Sequence, residues 1–337
     1  MDELDGGTRA WIRAEAGLRA LLAELPGAGA DPITAGAAPG AHPFTARRAD
    51  ARRLADALAA LTARIPPAAC RISEILLPEV AVPGARRPIL RIHEPWDATG
   101  PLPAQLFLHG GGFVHGSSRE SVNDAVLAER TLRTGIRHLC LDYALAPEHP
   151  FPAARDQAIA ALTALRERAG ELGIDASRLG LGGNSAGASI AAAAAVEIAR
   201  RGEESPHHLL LEVPAVSLEA LGSAAAEQVA EAQQLVALYA PDAGAEAFVA
   251  DAPDLPPLPP TIIATAEHDP LRAGAELLAR RLREAGGEVR EILTPGTVHG
   301  SPGITGISAA ARDWQEAVAR ELVDLCGSTS FPDDDGA

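Results

Sequence analysis

The chain has 337 residues, of which 47% are hydrophobic and 22% are charged, so it is long enough to bury a substantial core. Its formal net charge of −16 argues against proteins that bind nucleic acid or anionic membranes, because both partners require concentrated positive charge. All 29 basic residues are arginine, a bias that resembles genomic base composition more than function.

The three cysteines, Cys70, Cys140 and Cys326, are widely spaced and form no CxxC pair. This pattern disfavours a disulfide framework or a zinc knuckle and favours a reducing compartment. Cys140 lies in an apolar run and is interpreted as a core residue. The acidic N-terminus has no apolar core, and no apolar run approaches the roughly 20 residues that span a membrane. We therefore expect a cytoplasmic protein without a membrane span.

The first 66 residues predict two helices with little core of their own. Apolar residues recur at helical spacing over 8–25 and again over 46–64. A Gly/Pro/Ala-rich loop over 26–43 separates them, and the sequence IPP ends the second.

From residue 70 onwards, short apolar runs predict strands. These runs are CRISEILL, PILRIHE, QLFLHG, RHLCLDY, RLGLGG, HLLLEV, TIIATAE and EVREILT. Helical segments at about 153–169, 185–201, 272–286 and 308–325 lie between or after the middle and later runs. This alternation predicts an α/β fold, with a mostly parallel eight-stranded sheet covered by helices on both faces. Residues 214–260 exceed a simple crossover and predict an insertion, and the polar tail 327–337 is expected to be flexible.

The segment GNSAG, residues 183–187, places Ser185 between an apolar run and an alanine-rich helix. Strand, sharp turn and helix in this order fit the G-x-S-x-G nucleophile elbow, in which small neighbours tolerate a strained turn that exposes the serine. Taken alone, the pattern fits an ordinary tight turn equally well.

A second motif, HGGGF, begins at His109 directly after the strand QLFL. Consecutive glycines allow backbone N–H groups to converge on one point, which suits an anionic oxygen. A phosphate-binding loop would require a G-x-x-x-x-G-K-[ST] pattern, and this chain contains no lysine. The motif therefore predicts an oxyanion hole.

Two further motifs, EHDPL and TVHG, place Asp269 and His299 just beyond the ends of two predicted strands. Polar groups gather at that edge of open α/β sheets. The chain order Ser185, Asp269, His299 is the order expected of an α/β-hydrolase triad.

Together these motifs resemble the hormone-sensitive-lipase-like branch of the α/β-hydrolases, whose members carry HGGG, a GDSAG-type elbow, DPL and HGF. The segment DYALAPEHPFPAARDQ, residues 142–157, is also close to a segment of that family. The resemblance covers about residues 70–325 and implies an α/β-hydrolase fold with a helical cap. It assigns residues 1–66 and 214–260 to the cap, and residues 67–213 and 261–326 to the core.

The resemblance also implies roles for individual residues. Ser185 is the nucleophile, His299 the general base, and Asp269 the group that orients the histidine. The oxyanion would be held by the backbone N–H groups of Gly111, Gly112 and Ala186. No metal or organic cofactor is implied.

Other residues are expected to support the site. His109 is expected to orient the glycine loop and Gly110 to permit its turn, while Glu148 and Asp142 anchor the segment DYALAPEH through hydrogen bonds. The resemblance adds one further expectation. Two peptide bonds are candidates for the cis form, namely Ala146-Pro147 and Phe151-Pro152.

Three positions depart from the family pattern. Asn184 replaces the acidic residue before the nucleophile, Ala188-Ser189 replaces Gly-Asn, and Ser301 replaces the aromatic residue after His-Gly. None removes a catalytic group.

The sequence thus predicts a serine esterase that hydrolyses small to medium acyl esters, with a small-molecule ester as its partner. Two alternatives stay open: an enzyme that uses the same triad for acyl transfer, deacylation or lactone formation, and a non-catalytic ligand-binding homologue. A homodimer is compatible with the sequence.

Overall fold

The computed structural model describes residues 3–23, 43–65, 68–220, 226–242 and 244–327, except for four positions in the segment that follows the first strand. Those four positions are Glu79, Ala81, Gly84 and Arg86. The predicted tail and the predicted loop over 26–43 lie outside the described residues, apart from their end residues Gly327 and Pro43. Within the described ranges, no helix combines the length and apolar character needed to cross a membrane.

Eight strands of the described chain form one sheet. In chain order they are β1 (Cys70–Leu76), β2 (Ile89–Pro95), β3 (Leu102–Leu108), β4 (Arg137–Leu141), β5 (Ile174–Asn184), β6 (Leu209–Glu212), β7 (Thr261–Ala266) and β8 (Val289–Thr294). Their order across the sheet is β1-β2-β4-β3-β5-β6-β7-β8. The pairs β1–β2 and β2–β4 are antiparallel, and all other neighbours are parallel. The predicted mostly parallel eight-stranded sheet is confirmed.

The α-helices of the described chain include those that cover the two faces of the sheet and those of the segments assigned to the cap. They are α1 (Gly6–Ala23), α2 (Pro43–Thr62), α3 (Ser121–Thr134), α4 (Ala153–Glu167), α5 (Ala169–Leu172), α6 (Ala186–Arg201), α7 (Ala226–Tyr239), α8 (Arg272–Glu284) and α9 (Ala309–Cys326). Side chains of α4, α6 and α8 share one core cluster, whereas Trp314 of α9 belongs to a second. Because both faces are covered, every residue of β4 and β7 is buried, including Arg137 and His138 of β4.

Helix α3 is the main element that the sequence did not predict. Its buried residues include Arg130, Thr131 and Thr134, so part of its buried side is polar. The two threonines are satisfied locally. Thr134 Oγ1 donates to the Arg130 carbonyl at 2.7 Å, and Thr131 Oγ1 lies 3.0 Å from His138 Nδ1. Hydrogen bonds thus replace part of the expected apolar packing.

The segments assigned to the cap contain α1, α2 and α7. Helix α1 is anchored on the loop after β8, since the backbone N–H of Asp5 donates to the Gly296 carbonyl at 3.1 Å. The end of α2 is fixed on the following loop, where the N–H of Gly306 donates to the Thr62 carbonyl at 2.8 Å. These contacts attach the segments assigned to the cap to loops of the core, and the division into cap and core stays a proposal.

Candidate active site

Ser185 occupies a turn that only small neighbours permit. Its backbone has φ = 54° and ψ = −118°, a combination that ordinary residues rarely adopt. A Cβ atom at Gly187 would lie 2.0 Å from the Leu108 carbonyl oxygen, and one at Gly183 would lie 2.5 Å from backbone of Gly187. Neighbouring backbone therefore leaves no room for a side chain at either glycine. The result is a sharp turn at the end of β5 that presents the serine ahead of α6.

Ser185, His299 and Asp269 lie in a continuous hydrogen-bonded row. Ser185 Oγ is 2.8 Å from His299 Nε2, and His299 Nδ1 is 2.8 Å from Asp269 Oδ2. The second carboxylate oxygen of Asp269 accepts from the backbone N–H of Leu271 at 2.9 Å, which holds the carboxylate in place. The structure therefore brings together the three residues that the sequence predicted as a triad.

The electrostatic environment of His299 suits a base held by a carboxylate. Burial lowers the pKa of His299, but the charge of Asp269 and its hydrogen bond outweigh that effect, so the pKa is raised overall. The side chain of Asp269 is 1% exposed, whereas that of His299 is 39% exposed. The row thus runs from a buried carboxylate to an imidazole that a ligand can approach.

The glycine loop lies directly beside the elbow. A Cβ atom at Gly110 would be 2.9 Å from Asn184 Oδ1 and 3.5 Å from Ser185 Cβ. Gly111 and Gly112 have φ values of 124° and 58°, in the region that favours glycine. Among the hydrogen bonds of turns, loops and caps in the described part of the chain, none is donated by the N–H groups of Gly111, Gly112 or Ala186. These are the three donors that the sequence predicted for an oxyanion.

His109 is positioned to hold this loop. The residue is fully buried, its ring stacks on that of Tyr143 at 4.3 Å between centroids, and Nδ1 lies 2.8 Å from the Gly110 carbonyl oxygen. The Tyr143 hydroxyl donates to the carbonyl of His109 at 2.8 Å. Burial lowers the pKa of His109. These contacts support the predicted orienting role.

Arg48 of α2 is a supporting residue that the sequence analysis missed. Its Nε donates to the Val114 carbonyl and its Nη2 to the Ala146 carbonyl, both at 2.8 Å. The same guanidinium binds both carboxylate oxygens of Glu148, at 2.7 and 2.6 Å. Glu148 therefore anchors its segment, as predicted, but does so through α2. The Ala146-Pro147 and Phe151-Pro152 bonds are both cis, so that expectation is confirmed.

Helix α1 supports the loop that carries His299. Ser301 is fully buried, and its Oγ accepts from the backbone N–H of Val298 at 2.9 Å and lies 3.3 Å from Thr8 Oγ1. Trp11 lies against Gly300, because a Cβ atom there would be 2.4 Å from the indole. The hormone-sensitive-lipase-like family has an aromatic residue after the His-Gly pair. At this position the chain has the buried Ser301, and the indole of Trp11 from α1 packs on the preceding residue, Gly300.

A small cavity opens next to His299. It has a volume of about 170 Å³ and lies between α3 and the histidine loop, with Val122, Val126, Leu127, Asn184 and His299 in its wall. A larger cavity of about 490 Å³ lies beside α7 and contains none of the triad residues or loop glycines. The smaller cavity is therefore the one that adjoins the hydrogen-bonded row.

The elbow rests on a buried ion pair. The Ser185 N–H donates to the Glu212 carbonyl at 2.8 Å, and the Glu212 side chain pairs with both terminal nitrogens of Arg130 at 2.9 and 3.0 Å. Trp314 Nε1 donates to the same carboxylate at 2.8 Å. In the sequence, the only sign of this ion pair is Glu212 itself, a single glutamate at the end of the otherwise apolar strand β6.

Comparison with known proteins agrees with this geometry. A family model described as alpha/beta hydrolase fold matches residues 105–302. The chain belongs to the α/β-hydrolase fold family. The similar proteins described next are esterases. They confirm that the chain belongs to the hormone-sensitive-lipase-like branch and that it is a carboxylic-ester hydrolase.

Two relatives come from Mycobacterium tuberculosis. Esterase LipI is 32% identical over 269 residues, which cover 75% of this chain and 82% of LipI. Carboxylesterase NlhH is 34% identical over 253 residues, which cover 70% of this chain and 77% of NlhH. Among solved structures, the hyperthermophilic esterase of Pyrobaculum calidifontis superposes with a TM-score of 0.75 at 28% identity, over 92% of this α/β-hydrolase and 97% of the esterase.

Proposed function

We propose that this carboxylic-ester hydrolase cleaves small to medium acyl esters through a Ser185–His299–Asp269 triad and a covalent acyl-enzyme. The observation that carries the proposal is the row of two 2.8 Å hydrogen bonds that ends at a serine in a strained, positive-φ turn. The nucleophile and base lie within hydrogen-bonding reach, and the base is oriented by a third group, as nucleophilic catalysis requires.

In the acylation step, His299 Nε2 accepts the hydroxyl proton while Ser185 Oγ bonds to the carbonyl carbon of the ester. The carbonyl π pair moves onto oxygen. When this pair returns, the bond to the alcohol oxygen breaks, and the imidazolium gives its proton to the departing alkoxide. Asp269 stabilises the imidazolium that forms between these two transfers. The products of acylation are the free alcohol and an ester on Ser185.

The negative oxygen of the tetrahedral intermediate is assigned to the N–H groups of Gly111, Gly112 and Ala186. Loss of one such donor typically costs about 3–4 kcal/mol of transition-state stabilisation. In deacylation, His299 takes a proton from water, and the hydroxide bonds to the acyl carbon. The same imidazole then returns the proton to Ser185, which restores the enzyme and releases the acid.

The cavity lined by His299 and Asn184 is the candidate site for one side of the ester. Its volume of about 170 Å³ lies below the roughly 300–1,000 Å³ of pockets that enclose drug-sized ligands. Val122, Val126 and Leu127 make much of its wall apolar. We therefore assign this cavity to a short aliphatic portion of the substrate and expect activity to fall as that portion lengthens.

The decisive experiment measures hydrolysis of a p-nitrophenyl ester series by the wild type, Ser185→Ala, His299→Ala and the double variant. Each single variant should lose nearly all turnover, and the double variant should be little worse, because triad residues act as a unit. Ser177→Ala is the matched control, since Ser177 is an exposed serine on the same strand.

Clearly additive losses would contradict one shared mechanism. Mass spectrometry of a quenched reaction should find the acyl group on the peptide that contains Ser185. Product analysis with and without an added alcohol separates hydrolysis from the acyl-transfer alternative, because a transferase would convert the alcohol to an ester at the expense of free acid.

A further inference from the structure

Three side chains of metal-ligating type meet at the sheet edge opposite the triad. His207 and His208 precede β6, and Cys326 is the last residue of α9. The His207 N–H donates to the Leu179 carbonyl at 2.8 Å, near the middle of β5, whereas Ser185 follows its end. His208 and Cys326 are buried and His207 is half-buried, which leaves an approach from solvent beside His207.

Two of the three separations between the candidate ligand atoms match those of ligands around one tetrahedral ion. One ligand atom from each residue lies within 4.8 Å of the others. His207 Nδ1 is 3.3 Å from His208 Nδ1, and His208 Nδ1 is 3.7 Å from Cys326 Sγ. With metal–nitrogen bonds of about 2.05 Å and a metal–sulfur bond of about 2.3 Å, these separations subtend roughly 107° and 116°, close to the tetrahedral angle.

The surroundings of His208 resemble the support that a ligating imidazole requires. Its Nε2 lies 3.0 Å from the side-chain nitrogen of Gln105, whose Oε1 is buried without a partner. Rotation of the amide by about 180° places Oε1 against Nε2, so that Nε2–H donates to it and Nδ1 keeps its lone pair. A ligating histidine commonly donates its other ring N–H to such an oxygen. Gly180 makes room for the ring, since a Cβ atom there would be 2.2 Å from it.

We propose that His207, His208 and Cys326 bind one zinc-class divalent cation, with the fourth position open to water. The donor set of two imidazoles and one thiol suits this class of metal. Binding releases the thiol proton to solvent, because the ligand is the thiolate. Such an ion would join the end of α9 to the sheet and stabilise the folded chain.

The local charges are compatible with a cation. Neutral imidazoles and a thiolate are the forms that bind such a metal, so binding competes with protons and should weaken in acid. Arg178 brings a positive charge close to Cys326, since its Nη1 donates to the Cys326 carbonyl at 3.1 Å, but its Nε is paired with Asp175 at 2.6 Å.

The test is titration of the full, untagged chain with Co²⁺ under reducing conditions, followed by competition with Zn²⁺. We expect one equivalent of Co²⁺ to bind, with the thiolate-to-cobalt charge-transfer band and the strong visible bands of tetrahedral cobalt. Cys326→Ser should abolish the charge-transfer band, and His207→Gln, at a half-buried position, should weaken binding about tenfold or more. Zn²⁺ should raise the Tm of the wild type.

Cys70→Ala and His149→Gln are matched controls that should leave the titration unchanged. An absent charge-transfer band in the wild type, or the same band in Cys326→Ser, would overturn the proposal. The outcome is independent of the esterase mechanism, because removal of metal with EDTA should leave p-nitrophenyl acetate hydrolysis at 25 °C unchanged. A chain that binds Co²⁺ but lacks esterase activity would contradict only the triad.

Discussion

The reactivity proposed for Ser185 depends on the residues around it more than on the serine itself. A free serine hydroxyl is a weak nucleophile, and activation requires an adjacent base and a stabilised oxyanion. Here the glycines at 183 and 187 allow the turn, the loop glycines lie beside it, and His299 is within 2.8 Å. The small residues of the elbow are therefore explained by steric contact with backbone rather than by flexibility.

A substitution at position 184, just before the serine, tests how strongly a nearby charge changes the pKa of His299. Asn184 lines the same cavity as His299 but carries no charge. The pKa of His299 is already raised, and a carboxylate at 184 would raise it further by favouring the imidazolium. The histidine of Asn184→Asp would then become neutral, and active as a base, only at higher pH. We expect the acidic limb of the kcat/KM profile to move upward by a fraction of a unit to about one unit.

The same measurement at high salt should give a smaller shift, because partly exposed charges are screened. Gln234→Glu, at an exposed position on α7, changes the net charge equally and should leave the limb in place. A limb that stays fixed in Asn184→Asp, or moves to lower pH, would show that residue 184 does not act on His299 electrostatically.

At the scale of elements, α2 holds the glycine loop and the segment after β4 through Arg48. One arginine on this helix contacts the carbonyl of Val114, the carbonyl of Ala146 and the carboxylate of Glu148. The first lies in the turn that follows the glycines, and the other two lie in the segment after β4. The helix therefore fixes two core segments relative to each other, and its effect on catalysis should be positional.

Arg48→Met keeps the length and apolar stem of the side chain but removes all these hydrogen bonds. We expect kcat to fall by up to about 100-fold, because a displacement of about 1 Å of catalytic donors can cost that much. Urea denaturation should show a loss of about 1.5–3 kcal/mol in the free energy of unfolding, as for hydrogen bonds to charged groups.

Arg53→Met is the control on the same helix, since the side chain of Arg53 is 71% exposed and contacts Asp50. It should change neither kcat nor stability measurably. Wild-type kcat in a folded Arg48→Met protein would contradict the positional role of α2.

The elements and motifs that could be predicted from sequence are those defined by local patterns. The eight apolar runs and the HGGG, GNSAG, DPL and VHG motifs each occupy a few consecutive residues, and the chain order of the last three is itself informative. Arg48 lies 100 residues from Glu148, and Thr8 lies 293 residues from Ser301. No periodicity encodes such pairings, and an arginine-rich helix has the composition of a solvated face. Helix α3 was missed for the related reason that its buried side is partly polar.

At the scale of the whole molecule, a buried polar network links α3, the end of β6, α9 and the loop that carries His299. Arg130 of α3 binds Glu212 at the end of β6 and Gln315 of α9. Gln315 Nε2 in turn donates to the Pro302 carbonyl at 2.8 Å, three residues after His299. The side chains of Arg130 and Glu212 are 0% and 2% exposed. The network thus connects the elbow, one face of helices and the histidine loop.

A double-mutant cycle on Arg130 and Glu212 tests this network. We expect the first substitution to lower the free energy of unfolding and the second, added to it, to raise that free energy again. Arg130→Met leaves the Glu212 carboxylate buried without its counter-charge, and breaking such a pair costs about 3–5 kcal/mol in the free energy of unfolding. Adding Glu212→Gln removes the uncompensated charge while keeping an oxygen for Trp314 Nε1, so the double variant should be more stable than Arg130→Met alone. Urea denaturation measures all four corners, and Glu316→Gln, which breaks the exposed pair with Arg320, should change stability by less than about 0.5 kcal/mol. If the losses of the two core substitutions simply add, the pair is not coupled, and the network does not join these elements energetically.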